Sequence, residues 1–229
     1  IRFILQAFVV CVGITALIAS GNGDGGGYNS GNGDSDDTII EDDRFITTWD
    51  TSLTSFDQEG EEWASESDSD QIKLPLDPEG TYDFEVAWGD GTTDHITSYD
   101  QEEITHTYSS EGEYDVIITG TIEGFGFKFP NETDLPRTEG LKLIDVKSWG
   151  DVKLHNKGYQ FYGAWNFTGL SATDLPDLSN ITNMYAMFSC SSFNQDIGAW
   201  NVGSVTDMSY MFNLSPFNQD IGAWDVSSV

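Results

Sequence analysis

The chain has 229 residues, with 39 Asp or Glu against 9 Lys or Arg, so its formal net charge at pH 7 is −30. This charge excludes nucleic acid as a partner and an anionic membrane surface as a docking site, because both attract Lys and Arg and repel carboxylates. An aromatic content of 13% is enough to build folded cores, and the two cysteines, Cys11 and Cys190, match neither a disulfide framework nor a zinc pattern.

Residues 1–20 have the pattern of a secretory signal. One cation, Arg2, precedes an apolar run from Phe3 to Ala19, which favours a cleaved export signal over a membrane anchor. We therefore expect an exported protein, located at the cell surface, in the outer membrane or outside the cell. Residues 17–21 resemble a bacterial lipobox in which Ser20 stands where the acylated Cys would be, so we expect membrane contact only through the export signal or a lost lipid anchor. Because the chain begins with Ile, we expect its natural start to be missing.

Residues 21–43 are almost entirely Gly, Asn, Asp and Ser with little to bury. This composition predicts a disordered, self-repelling tether. Its Gly-Asn-Gly-Asp segments suggest calcium, but they lack the regular ligand spacing of an EF-hand loop. We expect no calcium site here.

Residues 44–122 show the period-two pattern of β-strands. Tyr82, Phe84, Val86 and Trp88 alternate with mostly polar residues, and the Asp-Gly pair at residues 90–91 is typical of a tight hairpin turn. Several such segments separated by turn residues predict a small antiparallel β-sandwich.

Three motifs in this region resemble the PKD domain, an immunoglobulin-like sandwich of exported proteins. They are Trp-Gly-Asp-Gly-Thr at residues 88–92, His-Thr-Tyr at 106–108 and Gly-Glu-Tyr-Asp-Val at 112–116. The resemblance implies a spacer or interaction module without chemistry of its own. We accordingly expect Asp90 to accept hydrogen bonds from turn amides and His106 to pack beside a strand.

Residues 123–157 form a junction. Leu141, Leu143, Ile144 and Val146 predict one strand that is apolar on both faces, and four of the nine basic residues are crowded here: Lys142, Lys147, Lys153 and Lys157. We expect this segment to cap the structure that follows it.

The last part of the chain, residues 158–229, is a repeat. Residues 193–205 and 217–229 are identical at 11 of 13 positions, 24 residues apart, and all four methionines occupy two positions of the repeat. Val205, Met208, Met211 and Phe212 have the spacing of one helix face, and Trp200 with Val202 suits a short strand. The methionines suit core packing better than metal or haem ligation. Stacked copies would then form an α/β solenoid of the leucine-rich-repeat kind.

Residues 193–202 and 205–212 resemble the BspA-like leucine-rich-repeat surface proteins, in the mycoplasma-type lipoprotein repeat subfamily, and with a weaker early copy the likeness covers residues 141–229. The predicted fold is therefore multidomain: a PKD-like immunoglobulin β-sandwich followed by an α/β leucine-rich-repeat-type solenoid. Because residue 229 aligns with residue 205, where the next helix would begin, we expect a fragment truncated at its C-terminus.

The repeats point to a ligand face of low charge. Residues 158–229 contain no Lys, Arg or Glu and six Asp. Stacking would bring together rows of identical polar side chains. Two interpretations of these rows are open: the side chains form amide ladders and turns, or they bind a repetitive glycan or protein. The candidate ligand face comprises Asn194, Gln195, Asp196, Asn218, Gln219 and Asp220. Cofactors are not expected, although weak calcium binding between stacked carboxylates is conceivable.

The resulting hypothesis is a non-enzymatic surface protein that displays its repeats for adhesion to an extracellular protein or glycan. The alternative is an accessory, non-catalytic segment of a larger secreted polysaccharide-degrading enzyme. An enzyme within this chain is not expected, since His95, His106 and His155 are scattered and no nucleophile, metal-ligand cluster or phosphate loop stands out. The oligomeric state is not predicted.

Overall fold

The computed structural model describes residues 43–58, 61–128 and 138–229. The predicted export signal and nearly all of the predicted tether lie outside these residues. In the described part of the chain, no helix is long and apolar enough to cross a membrane.

Ten strands lie within the described residues, all before residue 155. They are β1 (Phe45–Asp50), β2 (Ser55–Gln58), β3 (Glu61–Ala64), β4 (Gln71–Lys73), β5 (Leu76–Ala87), β6 (Thr93–Ile96), β7 (Thr105–Thr107), β8 (Glu113–Phe125), β9 (Leu143–Ser148) and β10 (Lys153–Leu154). The helical segments in these ranges are two short 3₁₀ turns, Glu102–Ile104 and Glu139–Leu141.

One large sheet organises the first part of the structure. Its strand order is β6-β5-β8-β1-β9, with neighbours antiparallel, and β10 pairs with β8 in parallel. Two small sheets, β2-β3 and β4-β7, accompany it. Ile72 of β4 is fully buried in the same core as Phe84 and Val116 of the large sheet. This arrangement is consistent with the predicted β-sandwich, whereas its assignment as a PKD domain stays a prediction.

The period-two pattern of β5 is confirmed. Tyr82, Phe84 and Val86 are buried while Asp83 and Glu85 between them are exposed, so one face of the strand builds the core. The Asp-Gly turn after β5 is confirmed as well.

Glycine is required at the start of that turn. The N–H of Trp88 donates to the carbonyl of Thr92 at 3.1 Å, and Gly89 and Gly91 have φ values of 88° and 95°, which glycine adopts without steric cost. A Cβ on Gly89 would also lie 2.7 Å from the carbonyl oxygen of Asp115.

The repeats start at the edge of the large sheet. The carbonyls of Ile144 and Val146 in β9 accept hydrogen bonds from the N–H groups of Gly169 and Ala172, at 2.9 and 3.0 Å. Lys153 of β10 pairs with Asp177 in the early repeat copy. One continuous hydrophobic core runs from Phe45 in the sheet to Trp224 in the last copy.

The predicted α/β leucine-rich-repeat solenoid is wrong. In residues 158–229, all of which are described, no helix and no strand forms, and the backbone follows a succession of turns. The segment predicted as a helix instead makes backbone hydrogen bonds to the neighbouring copy. The N–H groups of Ala186 and Phe188 donate to the carbonyls of Ser209 and Met211, at 2.9 and 2.8 Å.

Left-handed backbone positions explain why no helix forms. Ala186 and Cys190 have φ values of 52° and 53°, and Tyr210 and Leu214, 24 residues later, have 58° and 57°. A right-handed helix cannot include such residues. Of the predicted apolar positions, Val205 and Met211 are nevertheless buried, and Met208 and Phe212 are half-buried.

Val205 and Met211 are 0% and 3% exposed, and Met184 and Met187 are fully buried. Apolar spacing therefore identified the inward-facing residues correctly but not their backbone conformation. The core-packing role predicted for the methionines agrees with this burial.

A buried lysine fixes the loop before β4. Lys142 is fully buried, and its Nζ donates to Ser67 Oγ at 2.7 Å and to the carbonyls of Asp68 and Gln71 at 2.6 and 2.8 Å. The Glu139 carboxylate lies 3.6 Å from the same Nζ. Burial is the largest influence on both groups: it lowers the pKa of Lys142 and raises the pKa of Glu139.

We predict that Lys142→Met strongly destabilises the protein. The substitution leaves the buried Glu139 carboxylate and the loop carbonyls without their donor, which costs about 3–5 kcal/mol in comparable buried pairs. Lys147→Met is the matched control, since Lys147 pairs with Asp115 on the surface, where such pairs contribute about 1 kcal/mol or less. Urea unfolding of both variants measures the difference. Equal losses of unfolding free energy would contradict the prediction.

Candidate ligand face of the repeats

The predicted ligand-face residues do form a row across two copies. Asn194 Oδ1 accepts hydrogen bonds from the backbone N–H of Asn218 at 2.9 Å and from Gln219 Nε2 at 3.2 Å. The carbonyl oxygen of Asn194 accepts a further bond from Gln219 Nε2 at 3.1 Å. Gln195 Nε2 donates to the carbonyl of Thr168 in the preceding copy. The side-chain amides thus connect adjacent copies.

The two aspartates of the row serve local turns. Asp196 Oδ1 accepts from the N–H of Gly198 at 2.9 Å, and Asp220 Oδ1 accepts from the N–H of Gly222 at 2.8 Å. Both residues are exposed, as is Asn218. The outward-facing part of the row is therefore formed by these three residues, and the structure uses the inward-facing atoms for its own turns. No group of three or more His, Cys, Asp or Glu suited to a metal ion occurs in the described part of the chain.

The other carboxylates of the repeats also act as backbone acceptors. Asp174 Oδ2 accepts from the N–H groups of Trp149 and Gly150, both at 2.8 Å. Asp207 and Asp225 accept from the N–H groups of Ser209 and Ser227, and the hydrogen bonds from these serines lower the pKa of both carboxyls. The repeats consequently present turn-capping carboxylates but no cation on their surface.

A row of tyrosines was missed by the sequence reasoning. Tyr159, Tyr185 and Tyr210 lie side by side, with ring centroids 5.2 and 5.6 Å apart. Aligning the copies at a shift of 24 residues pairs Tyr210 with Ala186, not with Tyr185. A search for recurring aromatics at neighbouring shifts would have found this row.

Asp90 and His106 lie outside the repeats, at the turn after β5 and in β7. Asp90 Oδ1 accepts from the N–H of Thr92 at 2.9 Å, and Asp90 Oδ2 lies 2.9 Å from His106 Nε2. The His106 ring stacks on Trp88 with centroids 4.7 Å apart. The predicted roles, turn acceptor for Asp90 and strand packing for His106, are confirmed. Partial burial opposes ionisation of Asp90, but the hydrogen bonds from Thr92 and His106 outweigh it and lower its pKa to about 2.

Comparison with known proteins identifies the repeat region. Residues 155–229 match the family described as "Mycoplasma protein of unknown function, DUF285". This match confirms the mycoplasma-type repeat part of the resemblance. No curated protein and no solved structure matches the chain.

We predict that removal of the side-chain amide lowers the free energy of unfolding more at Asn194 than at Asn218, the equivalent residue 24 positions later. Asn194→Ala removes the side-chain acceptor for Asn218 and Gln219 and should lower the unfolding free energy by about 0.5–1.5 kcal/mol, the net contribution of a typical intramolecular hydrogen bond. The matched control is Asn218→Ala, one copy later, whose Oδ1 accepts only from neighbouring Gln219 at 3.3 Å among the described contacts. Thermal or urea unfolding would show the difference, and equal effects of the two substitutions would argue against the amide ladder.

We also predict an acid-sensitive turn at Asp90. A carboxyl whose pKa is lowered on folding stabilises the protein above its unfolded pKa of about 3.9, and this stabilisation is lost as the pH falls toward about 2. Asp90→Asn should therefore reduce the slope of stability against pH between about pH 4 and pH 2. Unfolding curves across this range measure the slope. If Asp90→Asn leaves the slope of stability against pH unchanged, the pKa of Asp90 is not lowered in the folded protein.

Proposed function

We propose that the protein is a non-enzymatic, exported surface protein whose repeats bind an extracellular glycan or protein. The acidic sheet domain serves as the spacer that holds the repeats away from the surface. The observation that carries the proposal is the row of exposed polar groups on the repeats, at Asp196, Asn218 and Asp220, on a segment without any Lys, Arg or Glu.

The charge distribution supports an uncharged or weakly charged ligand. Of the 39 acidic residues, six lie in residues 158–229, and all nine basic residues precede them. A polyanionic ligand would find no cation on the repeats and would be repelled by the sheet domain. Hydroxyl and amide groups of a neutral ligand can instead exchange hydrogen bonds with carboxylate and amide side chains.

The manner in which the repeats join the sheet supports a presentation role. β9 provides both a strand of the large sheet and the carbonyl acceptors for the early repeat copy. A row of ligand-binding groups built on such a continuous core keeps its spacing, which reduces the entropic cost of binding. The export pattern of residues 1–20 and the mycoplasma-type repeat match support the location.

The test is retention of the purified chain on arrays of neutral glycans and extracellular matrix proteins. We expect the unmodified chain to bind a subset of spots, and Asn218→Ala to bind them about tenfold more weakly, as for the loss of one hydrogen bond worth about 1.4 kcal/mol. His95→Ala, on the exposed strand β6, is the control and should bind normally. Absence of binding to every spot, or equal binding by the Asn218 variant, would contradict the proposal.

A further inference from the structure

A cavity, which we call the junction cavity, lies where the large sheet meets the first repeat copy. Its volume is about 340 Å³, within the range of about 300–1,000 Å³ that is usual for small-ligand sites. Three parts of the chain contribute to its walls: Asp77 and Pro78 of β5, Phe127 and Lys128 after β8, and Lys157 and Tyr159 after β10. The cavity therefore exists only where sheet and repeats are joined.

An interruption in the pairing of β5 forms one wall of the junction cavity. The partners of Leu76 and Thr81 on β8 are only two residues apart, so residues 77–80 lie opposite a single residue of β8. These extra residues leave the regular ladder, as in a β-bulge. The hydroxyl of Tyr82 donates to the carbonyl of Asp77 at 2.8 Å and holds this segment in place.

Two charged groups of the cavity are paired with each other. The Asp77 side chain is 4% exposed, and its Oδ1 accepts hydrogen bonds from Lys157 Nζ at 2.9 Å and from the N–H of Glu79 at 2.8 Å. Lys157 Nζ also lies 2.9 Å from Glu79 Oε2. Burial opposes ionisation of Asp77, but the hydrogen bonds from Lys157 and Glu79 outweigh it and lower its pKa. Asp77 is therefore ionised at neutral pH, and its charge is balanced by Lys157.

Lys128 is the cation of the cavity that lacks a carboxylate partner. Its Nζ donates to the carbonyl of Leu76 at 3.2 Å, and no carboxylate of the described residues forms an ion pair with it. An ammonium group has three donors, so two remain for a ligand. Burial lowers the pKa of neighbouring His155, so this ring is neutral at neutral pH and does not compete for an anion.

Aromatic side chains supply the apolar part of the walls. Phe127 is 3% exposed and Tyr159 is half-buried. The ring of Tyr159 is held by edge contacts to Tyr162 and Tyr185, with centroids 5.5 and 5.2 Å apart. A fixed aromatic ring beside charged hydrogen-bonding groups suits a ligand with one apolar face and several hydroxyl groups.

We propose that the junction cavity binds a sugar ring that carries a single carboxylate, as in a uronic acid. The carboxylate forms a charge-assisted hydrogen bond with Lys128. The sugar hydroxyls exchange hydrogen bonds with Asp77 and Lys157, and the apolar face of the ring packs against Tyr159. One carboxylate matches the one unpaired cation, and further negative charge would be repelled by Asp77 and by the net charge of −30.

This inference does not rest on the proposed function. The polar row of the repeats, at Asp196, Asn218 and Asp220, contributes no residue to the junction cavity.

The experiment titrates glucuronate into the full chain and follows the backbone amide signals by two-dimensional NMR. We expect saturable shifts at Gly158 and Tyr159, which line the cavity. Glucose has the same ring without the carboxylate and should bind about tenfold more weakly, because the charge-assisted hydrogen bond is lost. Benzoate has the carboxylate without hydroxyl groups and should also bind more weakly than glucuronate.

Lys128→Gln tests the cation. The substitution should weaken glucuronate binding about tenfold and leave glucose binding unchanged, whereas Lys128→Arg, which keeps the charge, should retain glucuronate binding. The matched control is Lys147→Gln. It removes the same charge from β9, outside the cavity, where Lys147 pairs with Asp115, and it should bind glucuronate normally.

Tyr159→Ala tests the aromatic wall. The backbone at Tyr159 is left-handed, with φ 63°, and so is Ala186, with φ 52°, whose N–H likewise donates to a carbonyl of the following copy. Alanine is therefore compatible with this backbone, and near-UV circular dichroism would verify the fold. Loss of the ring should weaken glucuronate and glucose equally, by about fivefold.

Four outcomes would overturn the inference. These are the absence of saturable shifts with glucuronate, equal affinity for glucose and glucuronate, undiminished glucuronate binding by Lys128→Gln, and tighter binding of benzoate than of glucuronate. Failure of neutral-glycan or protein binding on arrays would leave these results unaffected, so the two proposals can be distinguished.

Discussion

The backbone hydrogen bond from one copy to the next is the interaction on which the repeat segment depends. Tyr185 accepts from the N–H of Tyr159 at 2.7 Å, and the following N–H, that of Ala186, donates to Ser209 at 2.9 Å. The same peptide group is therefore satisfied from both sides by different copies. Because buried backbone groups must be paired, each copy needs its neighbours, and the conformation of one copy determines that of the next.

The sheet provides the surface on which this ladder begins. Carbonyls of β9 accept from the early copy, and Asp174 of the repeats closes the loop after β9. Aromatic packing crosses the same boundary, since Trp149 contacts Phe161 at 6.0 Å and Trp200 at 5.8 Å between centroids. The sheet and the repeats thus share one core.

Some polar side-chain atoms of the repeats bond to the neighbouring copy, and others are exposed to solvent. Inward-facing amide atoms, as in Asn194 and Gln219, bond to the neighbouring backbone. The outer atoms of Asp196 and Asp220 remain in contact with solvent. The repeated motif therefore bonds adjacent copies to each other and still leaves polar atoms exposed on the surface.

The sequence by itself determined where residues point. Period-two alternation predicted the buried face of β5, the Asp-Gly pair predicted its turn, and the 24-residue repeat predicted which apolar residues pack against the core, although Met208 and Phe212 are only half-buried. These features depend on local spacing and on hydrophobic burial, which a sequence displays directly. The row of Asn194 with Asn218 also followed from the repeat length alone.

Only the tertiary structure determined the backbone conformation of the repeats and the hydrogen-bond partners of their side-chain amides. The spacing of Val205, Met208 and Met211 suits a helix, but it also suits a turn whose inward residues recur every three positions. A helix does not form because backbone N–H groups donate to the neighbouring copy and because Ala186 and Tyr210 have left-handed φ values. Buried Lys142, which holds a loop about 75 residues earlier in the chain, is equally invisible to local patterns, because its partners meet only when the sheet has formed.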